Sequence, residues 1–387
     1  IEVATWTDGP GVCPPGLPQV DLHTAEELAA AARGDEPFDA DPPATCYFVH
    51  DGEYAADGVL LYLLRGGAPD APRVFVGQTR DGVVIRSRAG TDPERPIADL
   101  VLSNLTLDLT GYDGGSGSFN TLSLYEDSRI RIDHVTFTGD CATGLRGAHL
   151  ETNGTTDLVV DSCLIENYGH CGPEGHEDHG VYLANGSDLV FVNNWVRGNA
   201  SRGFQLYTQG GEYGTLDGVV LERNRISGNG HGDYEDGIVI NAYGTGTIED
   251  VVIRHNLLDD NHYSGIRFAG GLMSGVVVQN NTFYRNGVAS GADGRSELNV
   301  DDEGGGAGAT FDRNLFVVEH HLINDCHGGA DLGFHVGDNF VDGDPGSGGD
   351  GSCLGPQTTG DPHLTDPAGG DFVPLDPVAA TYGAWAP

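Results

Sequence analysis

Residues 178–207 read Asp178-His-Gly-Val-Tyr-Leu-Ala-Asn-Gly-Ser-Asp-Leu-Val-Phe-Val-Asn-Asn-Trp-Val-Arg-Gly-Asn-Ala-Ser-Arg-Gly-Phe-Gln-Leu-Tyr207. A short strand, Val181 to Leu183, runs into a polar turn at Asn185, Gly186 and Ser187. A second strand, Leu189 to Val192, ends in the pair Asn193 and Asn194, and a bend at Gly198 to Arg202 begins the phrase again at Gly203. The polar residues that end the second strand of each copy are Asn104, His134, Cys163, Asn194, Asn224, Asn256, Asn281 and Asn314, spaced by 30, 29, 31, 30, 32, 25 and 33 residues. A period of this length means a solenoid. Helical solenoids share it, so composition decides. The copies alternate apolar and polar residues and are rich in Val, Ile, Leu, Asn and Gly, which is strand chemistry. The 61 glycines suit tight corners. The fold predicted is all-β: one right-handed parallel β-helix, with residues 1–98 as cap and first coils, 99–338 as central coils and 339–387 as loop, last coil and tail of one continuous domain.

The other strand of each copy aligns as Leu122-Ser-Leu-Tyr125, Ala148-His-Leu-Glu151, Val181-Tyr-Leu-Ala184, Phe204-Gln-Leu-Tyr207, Ile238-Val-Ile-Asn241, Ile266-Arg-Phe-Ala269, Leu298-Asn-Val-Asp301 and Phe334-His-Val-Gly337. Strand side chains alternate faces, so the first and third residues point inward and the second and fourth outward. Stacked coils then place Ser123, His149, Tyr182, Gln205, Val239, Arg267, Asn299 and His335 in one outer column. Tyr125, Glu151, Ala184, Tyr207, Asn241, Ala269 and Asp301 form the next. Arg146, His179, Arg202 and Asp236 stand at the corner before them. Insertions at Gly169 to Asp178 and Gly228 to Glu235 precede the same strand and are expected to wall a groove.

The chain has 387 residues, 58 acidic and 19 basic, all of the latter arginine, for a net charge of −39. Such acidity argues against nucleic acid as a partner. It fits a solvated surface, or acidic turns that hold calcium. No apolar run is long enough for a membrane span. The chain opens at Ile1 without Met or a signal-like run, and reads as a processed, exported form; a monomer is expected. Seven cysteines are present, with no Cys-x-x-Cys pair, which points to disulfides rather than a zinc ribbon. The pairs expected are Cys13 with Cys46, Cys141 with Cys171 and Cys326 with Cys353, leaving Cys163 in the core. Leu22 to Arg33 is the one clear helix. Thr24 and Glu27 form a capping box and Gly34 a stop, and the helix would cover the open edge of the first coil.

Several phrases carry a family resemblance. Asp51-Gly-Glu-Tyr54, Gly67-Ala-Pro-Asp-Ala-Pro-Arg73 and Gly82-Val-Val-Ile85 follow the capping helix. They resemble the opening of secreted right-handed parallel β-helix proteins, including alginate and chondroitin lyases. His179-Gly-Val-Tyr-Leu183 and Asp236-Gly-Ile-Val-Ile240 are similar to repeats of mannuronan C5-epimerases, and Asp361-Pro-His-Leu364 with Asp371-Phe-Val-Pro374 resembles a last-coil phrase of the same group. The resemblance implies a carbohydrate-active β-helix. Lyases of this kind use a lysine base, and this chain has no lysine. The epimerases carry Asp-Pro-His-Glu, where this chain has Gly175-His-Glu-Asp-His179. No catalytic residue is therefore transferred from the family.

The chemistry must come from the outer face. Arginine grips a carboxylate with two hydrogen bonds. Histidine or tyrosine can take a proton from the carbon beside it, and tyrosine can protonate a leaving oxygen. His149 or His179 is the expected base and Tyr182 or Tyr207 the expected acid. Arg202 holds the carboxylate, aided by Arg146 or Arg267. Glu151, Gln205, Asp236 and Asn241 complete the binding surface. The reaction expected is β-elimination on a uronic-acid polysaccharide. A C5-epimerase, a glycoside hydrolase using two of Glu151, Asp236 and Asp301, and a non-catalytic carbohydrate-binding protein are the alternatives. His176, Asp178 and His179 are a lesser metal candidate, and the turn Asp301, Asp302, Glu303 is the candidate calcium site. No organic cofactor is expected.

Overall fold

A computed structural model describes residues 11–69, 71–112, 120–140, 146–169, 178–208, 214–231, 235–287, 296–301, 308–327 and 333–386. Each coil contributes three short strands, so the solenoid has three rows of parallel strands. The first row includes Ser128–Asp133, Thr156–Asp161, Gly186–Val192 and Thr215–Glu222, paired in parallel from coil to coil. The second includes Leu164–Glu166, Trp195–Arg197 and Arg225–Ser227. The third includes Leu122–Tyr125, Gly147–Asn153, Asp178–Ala184, Phe204–Thr208 and Ile238–Ala242. Inward side chains stack on their equivalents one coil away. Leu158 lies on Leu189, and Val160 on Phe191, all with no exposed surface. Burial of such columns is the main favourable term for a solenoid, because each coil covers only its neighbours.

The corner from first to second row is constant from Ser103 to Leu315. Only two residues separate the strands in coil after coil, as between Asp161 and Leu164 or Glu222 and Arg225. The first of the two takes the left-handed conformation: Ser162, Asn193, Arg223, His255, Asn280 and Arg313 have φ between 53° and 59°. The second is the ladder residue. The side-chain oxygen of Asn224 accepts from both the backbone N–H and the side-chain amide of Asn194, at 2.9 Å each. The Asn194 amide also donates to the Val160 carbonyl at 3.0 Å. The same arrangement repeats through Asn256, Asn281, Asn314 and Asn339 and ends on Gln357. These amides are buried and satisfied, which is the condition for a buried polar group to stabilise. Cys163 occupies the same position as a free, buried thiol, as expected. Two anchors were one residue early. Asn104 and His134 are left-handed residues, and the ladder position in their coils belongs to Leu105 and Val135, both fully buried.

A second ladder runs beside the first. Asn199, Asn229, Asn261 and Asn286 hydrogen-bond in series at the corner after the second row. It ends on Glu297, which accepts from the Asn286 backbone and side chain and whose carboxyl burial pushes up to about 8. Third-row glycines make room for it. A Cβ on Gly180, Gly203 or Gly237 would lie within 2.9 Å of Asn199, Asn229 or Asn261.

The helix α1, Ala25–Arg33, carries the expected capping box and a left-handed Gly34, and it buries Leu28, Ala29, Ala31 and Ala32 in the core. The disulfides Cys13–Cys46 and Cys326–Cys353 are formed. The pair Cys141–Cys171 lies outside the described residues. Among the described residues no helix is long and apolar enough to cross a membrane. Two strand assignments differ from expectation near the C-terminus. His335–Val336 pairs with Thr310–Asp312 in the first row, so His335 is not on the third-row face; His321–Ile323 takes that place beside Ser296–Val300. Leu364–Asp366 and Asp371–Pro374 form an antiparallel hairpin instead of a last coil. The tail after it returns along the solenoid, with Ala384 donating to Thr282.

Candidate active site

The third row is where side chains depart from repetition. Its parallel register fixes the outer column as Ser123, Glu151, Tyr182, Gln205, Val239, Arg267 and Asn299. The neighbouring column is Tyr125, Asn153, Ala184, Tyr207 and Asn241. The expected alignment holds for every coil from Val181 to Val300 but slips by two residues at Ala148. Leu150 and Thr152, not Ala148 and Leu150, are the inward pair beside Val181 and Leu183. Glu151 therefore sits next to Tyr182, and Ala148 replaces Arg146 beside His179.

That slip decides the place of His149. It falls among the row's glycines and is fully buried. Its Nε2–H donates to the Glu166 carbonyl at 2.7 Å, and Nδ1 accepts from the Thr121 hydroxyl at 2.9 Å. Its ring packs on Tyr168, 4.7 Å between centroids. Both nitrogens are used by the neutral ring, and burial lowers its pKa to about 4. This imidazole is structural, and no ring nitrogen is left to meet a substrate.

A cleft of about 570 Å³ opens on this face, and His179, Tyr182, Arg202, Gln205, Tyr207 and Glu151 all line it. The structure adds Arg88, Asn120 and Tyr125. Tyr125 belongs to the expected outer column, whereas Arg88 and Asn120 lie before the first aligned strand, Leu122–Tyr125. His179 stacks on Tyr182 with ring centroids 5.6 Å apart and planes 13° apart, and Tyr207 follows 5.8 Å from Tyr182. His179 is 4% exposed, and its Nδ1 has no hydrogen-bond partner among the described residues. Burial, followed by the charge of Arg202, holds its pKa well below the ordinary value, so the ring is neutral. Arg202 is fixed by Glu235 through two hydrogen bonds, of 2.9 and 3.1 Å, and by the Gln205 oxygen at 2.7 Å. Glu151 accepts from Asn120 and, at 3.2 Å, from the Tyr125 hydroxyl. Burial raises its carboxyl against the pull of those bonds.

Asp236 and Arg267 form a separate group on later coils. Arg267 bonds Asp301 at 2.9 Å and lies 3.7 Å from Asp236 and 4.0 Å from Glu235. Asp236 is fully buried and accepts from Ser264; burial raises its pKa against the attraction of Arg267. Asn241 lies in the Tyr207 column, beyond the cleft. Of the expected calcium turn, Asp301 is engaged with Arg267, while Asp302 and Glu303 lie outside the described residues, as does His176. Among the described residues no group of three or more His, Cys, Asp or Glu side chains is placed to hold a metal ion.

Residues 103–234 match the family model described as a right-handed β-helix region. No curated protein matches the chain in sequence. Among solved structures, a point mutant of the PL6 family alginate lyase AlyGC aligns at 14% identity with a TM-score of 0.58, covering 94% of this chain and 56% of that one. This chain thus spans little more than half the length of that enzyme. The A-module of the mannuronan C-5 epimerase AlgE6 from Azotobacter vinelandii aligns at 14% identity with a TM-score of 0.51, covering 88% of this chain and 96% of that one. A GH136 lacto-N-biosidase from Eubacterium ramulus aligns at 9% identity with a TM-score of 0.49, covering 88% and 67%. An alginate lyase and an epimerase module thus share this fold, and identities this low speak for the fold alone.

Proposed function

We propose that the protein is a polysaccharide lyase that cleaves a uronic-acid-containing polymer by β-elimination in the cleft lined by His179 and Arg202. Arg88 and Arg202 hold the uronate carboxylate and stabilise the charge that develops when the neighbouring C5 proton is removed. His179 takes that proton. The electron pair forms the C4–C5 double bond, the C4–O bond breaks, and the phenol of Tyr182 or Tyr207 protonates the departing oxygen. The observation that carries this reading is a neutral imidazole stacked on Tyr182, with Tyr207 and Arg202 beside it in one cleft. A hydrolase needs two carboxyl groups flanking the bond. Among the described residues that line the cleft, Glu151 is the single carboxylate. The two disulfides favour export to an oxidising compartment.

Incubation with a panel of acidic polysaccharides tests the reading. The expected product absorbs in the ultraviolet through its new conjugated double bond. New reducing ends without that absorbance mean hydrolysis, and inverted sugars without cleavage mean epimerisation; either result rejects the lyase.

A further inference from the structure

The cleft does not end at the third-row strands. Its outer wall is the column Tyr125, Asn153, Ala184, Tyr207, in which two tyrosines bracket two small residues. With coils about 4.8 Å apart, the tyrosines stand about 14 Å from each other. Between them the wall is a low saddle over Asn153 and Ala184. Directly beyond it, around the corner to the first row, lies a second groove of about 560 Å³, which Asn153 also lines. The two grooves differ in charge. The cleft has two arginines and one carboxylate among its described lining residues, whereas the second groove has Glu126, Asp217 and Glu249 and no basic residue. The remainder of its surface is mostly amide, hydroxyl and glycine. Asn185 lines it, is 8% exposed, and keeps an Oδ1 without a hydrogen-bond partner among the described residues. Tyr243 stands just past the third-row strand Ile238–Ala242. It is 64% exposed, more than any other Phe, Trp or Tyr among the described residues. It lies close enough to Tyr207 to affect that phenol. The turn that begins at Tyr243 leads directly into Thr247–Glu249, which carries Glu249 to the second groove, and an exposed aromatic at the edge of hydroxyl- and amide-lined space is the make-up of a carbohydrate subsite.

We propose that this second groove, with Tyr243 as its stacking platform, binds an uncharged sugar unit next to the uronate in the cleft. The substrate is then a heteropolymer in which uronate neighbours an uncharged sugar, and not a homopolymer of uronates. The proposal rests on the uronate reading of the cleft. Three carboxylates repel a second uronate there and offer acceptors to sugar hydroxyls. The polymer would cross the saddle and bend over the corner of the solenoid.

Calorimetric binding to the full chain carrying His179→Ala, which blocks turnover, tests this with three tetrasaccharides. Two alternate glucuronate with glucose or with N-acetylglucosamine, and the third is tetramannuronate. The better alternating ligand is expected to bind more tightly than tetramannuronate. Adding Tyr243→Ala is expected to cost it about tenfold in affinity, as for an aromatic anchor, and to leave tetramannuronate unchanged. Joint Asp217→Asn and Glu249→Gln substitution is expected to bring tetramannuronate closer to the alternating ligand. Equal or tighter binding of tetramannuronate, no binding of either alternating ligand, or no effect of Tyr243→Ala overturns the subsite. Arg88→Gln separates the two readings. If it leaves every affinity intact while Tyr243→Ala still discriminates, the uronate reading of the cleft fails and the subsite stands.

Discussion

The two-residue corner and the cleft face lie on the same coils and obey opposite rules. At the corner the same amide recurs from Asn194 to Asn339, each buried and each bonded to the next. On the cleft face no residue repeats between successive coils: Glu151, Tyr182, Gln205 and Val239 share one column. Buried polar atoms that lack a hydrogen-bond partner among the described residues occur on that face, on His179 and Asp236. A repeated, fully bonded amide ladder marks the part that holds the coils in register, even though the adjoining corner residues Asn104 and Asn280 each keep a buried side-chain oxygen without a hydrogen-bond partner among the described residues. Variation with incomplete satisfaction marks the part where free energy is held for a ligand.

Three substitutions test this contrast. The largest effect is expected on the cleft face. His179→Ala should lower turnover on the identified polymer by about 10²–10⁴-fold, the usual loss for a general base, while the protein stays folded at the assay temperature despite the small cavity left beside Tyr182. Full activity would move the site elsewhere. Arg202 is less suited to this test, since its removal would strand the buried Glu235. Next comes the corner. Asn256→Ala should destabilise the fold by about 3 kcal/mol, because the Asn224 donors lose their acceptor in a buried site. Activity per folded molecule should stay unchanged, and a selective loss of activity instead would break the contrast. The smallest effect concerns His149, which belongs to the corner class although it sits in a site-bearing strand. Its pKa falls from 6.5 to about 4 on burial. Between those values the unfolded chain binds the proton and the native state does not, so stability is complete above pH 6.5 and falls as pH drops toward 4. The slope is about 1 kcal/mol per pH unit at most. Denaturant titrations from pH 7 to 4 should show that slope and its loss in His149→Gln. An equal slope in both proteins would remove His149 as its cause.

Much of this was legible because a solenoid writes its geometry into its period. The Asn anchors gave the coil length, and alternation around Val181, Phe204 and Ile238 gave the true facing of the third row. The failures came where two registers looked alike. Ala148-His149-Leu150-Glu151 and Leu150-Glu151-Thr152-Asn153 both alternate, and only the second pairs with Val181 to Ala184. Treating Thr152 as polar hid the fact that it lies inside with no exposed surface. At Asn104 and His134 the left-handed residue is itself polar, so it passed for the ladder residue behind it. The second ladder was readable: Asn199, Asn229, Asn261 and Asn286 each follow a first-ladder Asn by five residues. Tyr125 stood in the expected outer column, but Arg88 could not be joined to the cleft from sequence, since the strand Val83–Thr91 that carries it precedes the first aligned copy.

The fixed two-residue turn also bears on how such a chain can be altered. A length change there would shift a left-handed residue and the ladder together, in that coil and in both neighbours. The passage from second to third row is under no such constraint. It takes six residues between Arg197 and Phe204 and ten between Ser227 and Ile238. One edge of the solenoid therefore acts as a fixed spine and another as a site for grafting. New loops inserted at the variable edge would redesign the rim of the cleft while the spine kept every coil in step.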